Sequence, residues 1–150
     1  LFNMGQKCDE ERDYEGAIQY YSKAAGLGGI EAHYNLSCMY RNGQGVQTDE
    51  KKAVHYMEEA AIGGHDLARY NLGNHEYRNG QNNRAIKHWI IAAKLGDDDA
   101  LDMVKKGFEH GVVSKEDYET TLRVHQAAVD ATKSQQREAA EKSGRRGFTI

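Results

Sequence analysis

Residues 32–64 read AHYNLSCMYRNGQGVQTDEKKAVHYMEEAAIGG, and two apolar stripes of helical period run through this stretch. The first stripe places apolar side chains four residues apart, at Ala32, Leu36 and Tyr40. The second covers residues 53–61, where apolar residues recur at the spacing of a buried helical face. A glycine-rich loop separates the stripes, and Gly63 and Gly64 follow the second one, as expected of a glycine C-cap. The stretch therefore predicts a helix, a loop and a second helix.

The same pattern recurs along the chain at spacings of 32 or 36 residues. The alanine pair at positions 60–61 has counterparts at 24–25 and 92–93. A period in this range is typical of helix-turn-helix arrays, in which each unit buries its apolar faces against its neighbours. The sequence thus predicts an all-α fold, namely a right-handed α-solenoid of stacked antiparallel helix pairs.

Dividing the array of residues 1–142 by this period gives three units and a degenerate fourth, at about residues 1–31, 32–67, 68–99 and 100–142. In the fourth unit, Ser114 and Asp117 predict the cap that begins its second helix. Two apolar positions of that helix are threonine and no glycine stop follows, which is typical of a polar capping unit. Residues 143–150 are predicted to form a flexible tail.

Composition excludes several classes of function. The 150 residues carry a net charge of −3 with both signs mixed, so strong attraction to nucleic acid or to an anionic membrane is not expected. The longest apolar run, residues 89–93, is far shorter than the ~18 residues that cross a bilayer. Two cysteines without a CxxC motif favour free thiols and a cytoplasmic location. Because the chain begins at Leu1 within a helical pattern, we expect it to be part of a longer protein.

The sequence contains no recognisable catalytic or metal-binding pattern. Its seven histidines form neither an HExxH motif nor a Cys/His pair at zinc-ligand spacing. The nucleophile motifs SxxK and GxSxG are also absent. We therefore predict no catalytic residue, no metal site and no cofactor.

An asparagine recurs beside the first stripe of each unit, at Asn3, Asn35 and Asn71. Asn35 precedes Leu36 by one residue, which is about 100° around a helix, so it lies at the edge of the packed face. A side-chain amide both donates and accepts hydrogen bonds. It could therefore bind the backbone of a ligand peptide or the backbone of the neighbouring repeat, and the sequence leaves both interpretations open.

The quoted stretch resembles a Sel-one-like repeat, a longer-looped relative of the tetratricopeptide repeat. The resemblance rests on the small, aliphatic and aromatic positions of the first helix, the NGQGV loop, and the alanine pair followed by glycine. It extends over about residues 1–112, although Glu76 stands where the family usually has tyrosine. The wider similarity is to algal, diatom-like proteins in which such an array follows a zinc-binding RING-type domain. Any such domain would lie upstream of Leu1.

This resemblance implies that the first helices of the units line a concave groove. In related tetratricopeptide arrays the recurrent asparagine hydrogen-bonds the backbone of an extended peptide. The candidate partner-binding residues on that side are Tyr34, Asn35, Arg41, Asn42, Tyr70, Asn71, Asn74, Tyr77 and Arg78.

We therefore predict a non-catalytic scaffold whose partner is a protein or peptide, with neither nucleic acid, membrane nor metal bound by this chain. Recruitment of substrates to a ubiquitin ligase is one possible use of such a scaffold. Two alternatives stay open. One is a hydrolase of the β-lactam-binding repeat type, although the regularly spaced cysteine pairs of those proteins are absent. The other is a purely structural spacer or oligomerisation module.

Overall fold

A computed structural model describes residues 1–146 of the chain, the last two as backbone only. These residues form eight α-helices joined by turns and contain no β-strand. The helices are α1 (Phe2–Glu10), α2 (Tyr14–Gly26), α3 (Ile30–Asn42), α4 (Glu50–Ile62), α5 (Asp66–Arg78), α6 (Asn82–Lys94), α7 (Asp98–Glu109) and α8 (Lys115–Arg146). Their order along the chain is the succession of helices that the repeat period predicts.

The chain divides into two compact bodies, residues 1–88 and the residues from 89 onward. In the first body, each helix from α1 to α4 packs against the next helix along the chain. In the second body, α7 packs against α8. Packing between successive helices is the arrangement expected of a repeat array, in which each unit contacts its neighbours.

The same backbone turn ends the second helix of each of the first three pairs. Its glycine adopts a positive φ, which is 89° at Gly28, 96° at Gly64 and 107° at Gly96. At the end of α4, the His65 N–H donates to the carbonyl of Ala60 at 3.1 Å. The Gly64 N–H donates to the carbonyl of Ala61 at 3.0 Å. These are the two hydrogen bonds of the Schellman motif, so the recurrent alanine pair also supplies the acceptors of the turn.

Close packing of α2 against α1 explains why a glycine, Gly5, follows Met4 in α1. A Cβ placed on Gly5 would lie 2.6 Å from the ring of Tyr21, which is 1% exposed. The glycine therefore makes room for the tyrosine of α2. The corresponding residue of α3 is the buried Ser37, whose hydroxyl donates to the carbonyl of Ala53 in α4 at 2.6 Å.

The longer loop of the second pair packs against the first pair. Gly45 has φ = 71°, and a Cβ on it would lie 2.7 Å from Cβ of Tyr14, the first residue of α2. The loop ends at Asp49, whose carboxylate accepts the Lys52 N–H at 3.1 Å and caps α4. The inserted residues are thus held at both ends by specific contacts.

In the fourth pair, the polar side chains at core positions form hydrogen bonds within α7 and α8. Ser114 accepts the Asp117 N–H at 3.1 Å at the start of α8. The buried Thr121 donates to the Asp117 carbonyl of its own helix at 2.6 Å. His125, 7% exposed, pairs with Asp98 of α7 at 2.8 Å. The helix extends to Arg146 and so includes four residues assigned above to the tail, while residues 147–150 lie outside the described part.

The glycine turn generates a stability prediction with a matched control. Neither Gly64 nor Gly26 has an atom within 4 Å of an added Cβ, but only Gly64 has a positive φ. Gly64→Ala should therefore lower the free energy of unfolding by about 1 kcal/mol through backbone strain alone. Gly26→Ala, in helical backbone, should leave it unchanged or raise it slightly. Urea unfolding followed by circular dichroism measures both, and equal effects would contradict the assigned role of the turn.

Candidate functional site

A groove of about 640 Å³ lies among α3, α4 and α5 in the first body. Its apolar floor consists of Ala53, Val54, Met57 and Leu72. Its polar lining consists of Ser37, Arg41, Thr48, Glu50, Asn71, His75 and Arg78. Concave sites of this kind, apolar with a few convergent polar groups, are the usual form of a binding site.

A difference between the repeats explains why the groove opens at this position. Met57 of α4 corresponds to Tyr21 of α2 by the 36-residue spacing. In the first pair, the buried Tyr21 ring packs directly over Gly5. In the second pair the glycine is replaced by Ser37 and the ring by a flexible methionine chain. The space that an aromatic ring fills in one repeat is therefore partly empty in the next.

The charged groups of the groove come from two neighbouring first helices. Arg41 lies near the end of α3 and Arg78 at the end of α5, and both are exposed. Within the described part of the chain, neither guanidinium has a carboxylate oxygen within 4.0 Å. Both can therefore bind an anionic group from outside. Arginine suits this role because its planar fork matches a carboxylate.

His75 connects the groove to the start of α4. The Asn79 side-chain N–H donates to its Nε2 at 3.1 Å, so the ring proton lies on Nδ1. Nδ1 faces the carboxylate of Glu50 at 3.9 Å. The imidazole and this exposed glutamate therefore lie next to each other at the groove.

The recurrent asparagines contact tyrosine side chains of the preceding unit. The Asn35 amide interacts with the Tyr21 hydroxyl, and the Asn71 amide interacts with the Tyr34 hydroxyl. Burial raises the pKa of Tyr21, and the Asn35 amide opposes that rise. Asn3, in the same register, is exposed. These contacts join side chains of neighbouring units, while Asn71 also lines the groove, so both interpretations of the recurrent asparagine stay open.

The Tyr34 side chain contacts the start of α5. It stacks on His65 with the ring centroids 4.4 Å apart. Burial first and the Cys38 thiol second raise its pKa to about 12, while Arg41 and Asn71 act in the opposite direction. His65 in turn caps α5, accepting the Ala68 N–H on Nδ1 at 3.1 Å. Tyr34 is therefore mainly part of the packing between α3 and α5.

The groove gathers a subset of the nine residues predicted to bind a partner. Those that line it are Arg41, Asn71 and Arg78. Those that do not are Tyr34, Asn35, Asn42, Tyr70, Asn74 and Tyr77. Glu50 and His75 were not predicted, since their proximity depends on how α4 meets α5. Met57 was expected only as core, although comparison with Tyr21 in the preceding repeat would have indicated a gap.

The described residues were also searched for metal sites, membrane-spanning helices and disulfide bonds. Among residues 1–144, no three His, Cys, Asp or Glu side chains come together in a way that could hold a metal ion. No helix in the described range is both long and apolar enough to cross a membrane. Cys8 and Cys38 are free thiols, each partly buried.

Comparison with known proteins identifies the repeat. The sequence model of the Sel1 repeat matches residues 1–29, 30–65 and 66–97. The chain belongs to the Sel1 repeat family. Each matched segment ends two residues before the boundary that we assigned from the alanine and glycine pattern. The helix pair α7–α8 lies beyond the three matched Sel1 repeats.

Similar proteins come from several bacteria. Over 53 residues the chain is 42% identical to an uncharacterised protein of Neisseria meningitidis serogroup B, which covers 35% of this chain and 11% of that protein. The crystal structure of a Sel1 repeat protein from Oxalobacter formigenes aligns with a TM-score of 0.69 and 21% identity. A protective antigen with an SLR fold from uropathogenic Escherichia coli aligns with a TM-score of 0.69 and 23% identity.

These alignments confirm the predicted all-α solenoid fold. Both structural alignments cover 87% of this chain, which spans 55% of the Oxalobacter chain and 30% of the Escherichia coli chain. Proteins built from Sel1 repeats generally act as non-catalytic scaffolds for protein interactions. None of the descriptions of these relatives mentions a RING-type domain.

The contact between Asn35 and Tyr21 can be measured by a double-mutant cycle of Asn35→Ala and Tyr21→Phe. We expect a coupling free energy of about 0.5–1.5 kcal/mol, because each single change leaves one polar group without its partner. Alanine is also a better helix former than asparagine, but that gain enters both arms of the cycle and cancels. Asn3→Ala, at the exposed equivalent position, should couple with nothing. Additive effects of the two substitutions would show that the contact contributes no stability.

The raised pKa of Tyr34 predicts a loss of stability in alkali. The unfolded chain ionises this tyrosine near pH 10, whereas the folded chain keeps the proton until about pH 12. The contribution of Tyr34 is thus fully present below pH 10 and is lost as the pH rises to 12. Tyr34→Phe should reduce this loss by on the order of 1–2 kcal/mol. Urea unfolding at several pH values measures it, and parallel curves for the two proteins would refute the assignment.

Proposed function

We propose that this segment is a non-catalytic interaction module that binds an extended peptide stretch of a protein partner in the groove among α3, α4 and α5. The observation that carries the proposal is the combination of an apolar floor with the guanidinium groups of Arg41 and Arg78, neither of which pairs with a carboxylate in the part of the chain that the structure describes. The floor can bury an aliphatic side chain, which stabilises a complex by roughly 1.5–3 kcal/mol when burial is complete. The polar rim can orient the peptide.

Asn71 is the residue best suited to contact the peptide backbone. It lines the groove, whereas Asn35 is engaged with Tyr21 in the preceding repeat interface. Its amide can keep the contact with Tyr34 and still offer donor or acceptor capacity, since it has two N–H groups and two acceptor lone pairs. The groove is largely preformed by helices, so its ordering on binding costs little.

The proposal extends to the cellular setting. Two free thiols favour a reducing compartment, and we propose the cytoplasm. In a longer protein that carries a RING-type domain, the groove would bring its bound protein to the ligase. This last step is supported only by the resemblance of the sequence to algal proteins.

A variant that fills the groove tests the proposed function. Ser37→Gly combined with Met57→Tyr copies the Gly5 and Tyr21 pair of the first repeat, in which the ring has room only over glycine. We expect short random peptides displayed on phage to be enriched on the natural chain and not on this double variant. Circular dichroism and urea unfolding establish that the variant remains folded.

Two outcomes would count against the proposed function. Enrichment of the same peptides on both proteins would place binding outside the groove. Enrichment on neither protein would mean that the chain does not bind extended peptides, and would favour a structural spacer. As a further control, Gly26→Ala lies away from the groove and should leave the enrichment unchanged.

A further inference from the structure

We infer that the groove binds a tyrosine side chain of its partner, with the ring over Met57 and Leu72 and the hydroxyl at the Asn71 amide. This inference rests on the proposed function and adds the chemistry of the partner. It is carried by the first repeat, in which the chain fills the equivalent space with a tyrosine of its own.

The space among α1, α2 and α3 shows which side chain fits between three successive helices of this array. Tyr21 of α2 lies there, 1% exposed, with its ring over Gly5 of α1. Its hydroxyl interacts with the Asn35 amide of α3, and the centroid of the Phe2 ring is 5.7 Å from its own. A phenol ring from within the chain therefore occupies this space in the first repeat.

The groove among α3, α4 and α5 is built from the same three positions, one repeat further along. They are Ser37 of α3, Met57 of α4 and Asn71 of α5, and all three line it. By the same spacings, the third pair again has a glycine and an aromatic residue, at Gly73 and Trp89. Among the first three pairs, only the second therefore lacks an aromatic ring at this position.

Ser37 limits how deeply a ring from the partner can enter. A Cβ on Gly5 would lie 2.6 Å from the Tyr21 ring, and Ser37 carries a Cβ at the equivalent position. The partner's ring therefore lies nearer the open side of the groove than Tyr21 lies in its own space. There it covers the buried Met57 and Leu72, and contact between an aromatic ring and a thioether sulfur is favourable.

The guanidinium groups of Arg41 and Arg78 favour an aromatic ring over an aliphatic side chain. Both line the groove, and among residues 1–144 neither pairs with a carboxylate. A guanidinium is attracted to the face of an aromatic ring. An anionic ligand group would also meet the carboxylate of Glu50, which lines the same hollow and faces Nδ1 of His75 at 3.9 Å. A neutral ring gains the contact with arginine without this repulsion.

The Asn71 amide favours tyrosine over phenylalanine. It lines the groove and interacts with the Tyr34 hydroxyl. Because an amide has two N–H groups and a carbonyl oxygen, one such contact leaves it able to bind a second hydroxyl. Asn35 provides the same contact for Tyr21 in the first repeat. A tyrosine of the partner can therefore form a hydrogen bond that phenylalanine cannot.

Capped synthetic peptides test the inference. They share the sequence Ser-Gly-X-Gly-Ser, in which X is tyrosine, phenylalanine, leucine or cyclohexylalanine. Cyclohexylalanine resembles phenylalanine in size but has no aromatic face. Binding to the natural chain is measured by nuclear magnetic resonance, from the shifts of the methionine methyl and side-chain amide signals. We expect the tyrosine peptide to bind best, the phenylalanine peptide roughly threefold more weakly, and the other two roughly tenfold more weakly.

Two variants assign the two preferences to their side chains. Asn71→Ala should remove the preference for tyrosine over phenylalanine and keep the preference for phenylalanine over cyclohexylalanine. Arg41→Gln with Arg78→Gln should do the reverse. Asn35→Ala, at the equivalent position outside the groove, should change neither preference. Urea unfolding establishes that each variant is folded. If the leucine peptide binds as tightly as the tyrosine peptide, or if Asn71→Ala leaves the preference for tyrosine intact, the inference is wrong.

The phage selection described above distinguishes failure of the inference from failure of the proposed function. Selected peptides that share a tyrosine and lose binding on Ser37→Gly with Met57→Tyr would support the inference. Selected peptides that lose binding on this double variant but contain no aromatic residue would overturn the inference and leave the groove as the binding site. Self-association of the chain that the double variant abolishes would assign the groove to a second copy and would also overturn it. Absence of all peptide binding would refute the proposed function as well.

Discussion

The Tyr21 ring can approach α1 as closely as it does only because that helix has no Cβ at Gly5. The size of the residue at this position limits how closely the second helix of a pair packs on the first helix. It therefore also limits the distance between successive pairs. Where the condition is met by glycine and tyrosine, the Tyr21 ring packs over Gly5 and its hydroxyl interacts with the Asn35 amide. Where serine and methionine replace them, the serine bonds the Ala53 carbonyl and a groove remains. The same two positions of the repeat therefore form filled core in one unit and line a groove in the next.

The features that could be predicted from the sequence are those fixed by short-range pattern. Helical stripes, alanine pairs and glycine stops depend on residues within a few turns of each other, and the positive φ of Gly28, Gly64 and Gly96 follows from the requirement of the Schellman turn. Ala32 and Leu36 are buried, as their spacing predicts. The all-α solenoid followed from these signals together with the repeat period.

The groove could be predicted only in part, because it depends on contacts between helices. Helical projection assigned Arg41 to the candidate side of α3 and Asn71 and Arg78 to the same side of α5, and all three line the groove. Glu50 and His75 come together only through the packing of α4 on α5, which no local pattern encodes. The floor was missed for a different reason. Met57 is a normal core residue by its spacing and its burial, and only comparison with Tyr21 of the preceding repeat indicates that the side chain here is narrower.

The contact between Gly45 and Tyr14 has a consequence for how the array unfolds. In an ideal repeat array each helix pair can open with only the loss of its nearest interface, so the ends fray independently. Here the inserted loop of one pair rests on the first residue of the second helix of the preceding pair. Opening either pair therefore also breaks this contact, and we expect the two pairs to unfold together. The loop has the length of a tolerated insertion, but its contact with α2 stabilises the interface between the first and second pairs, next to the groove.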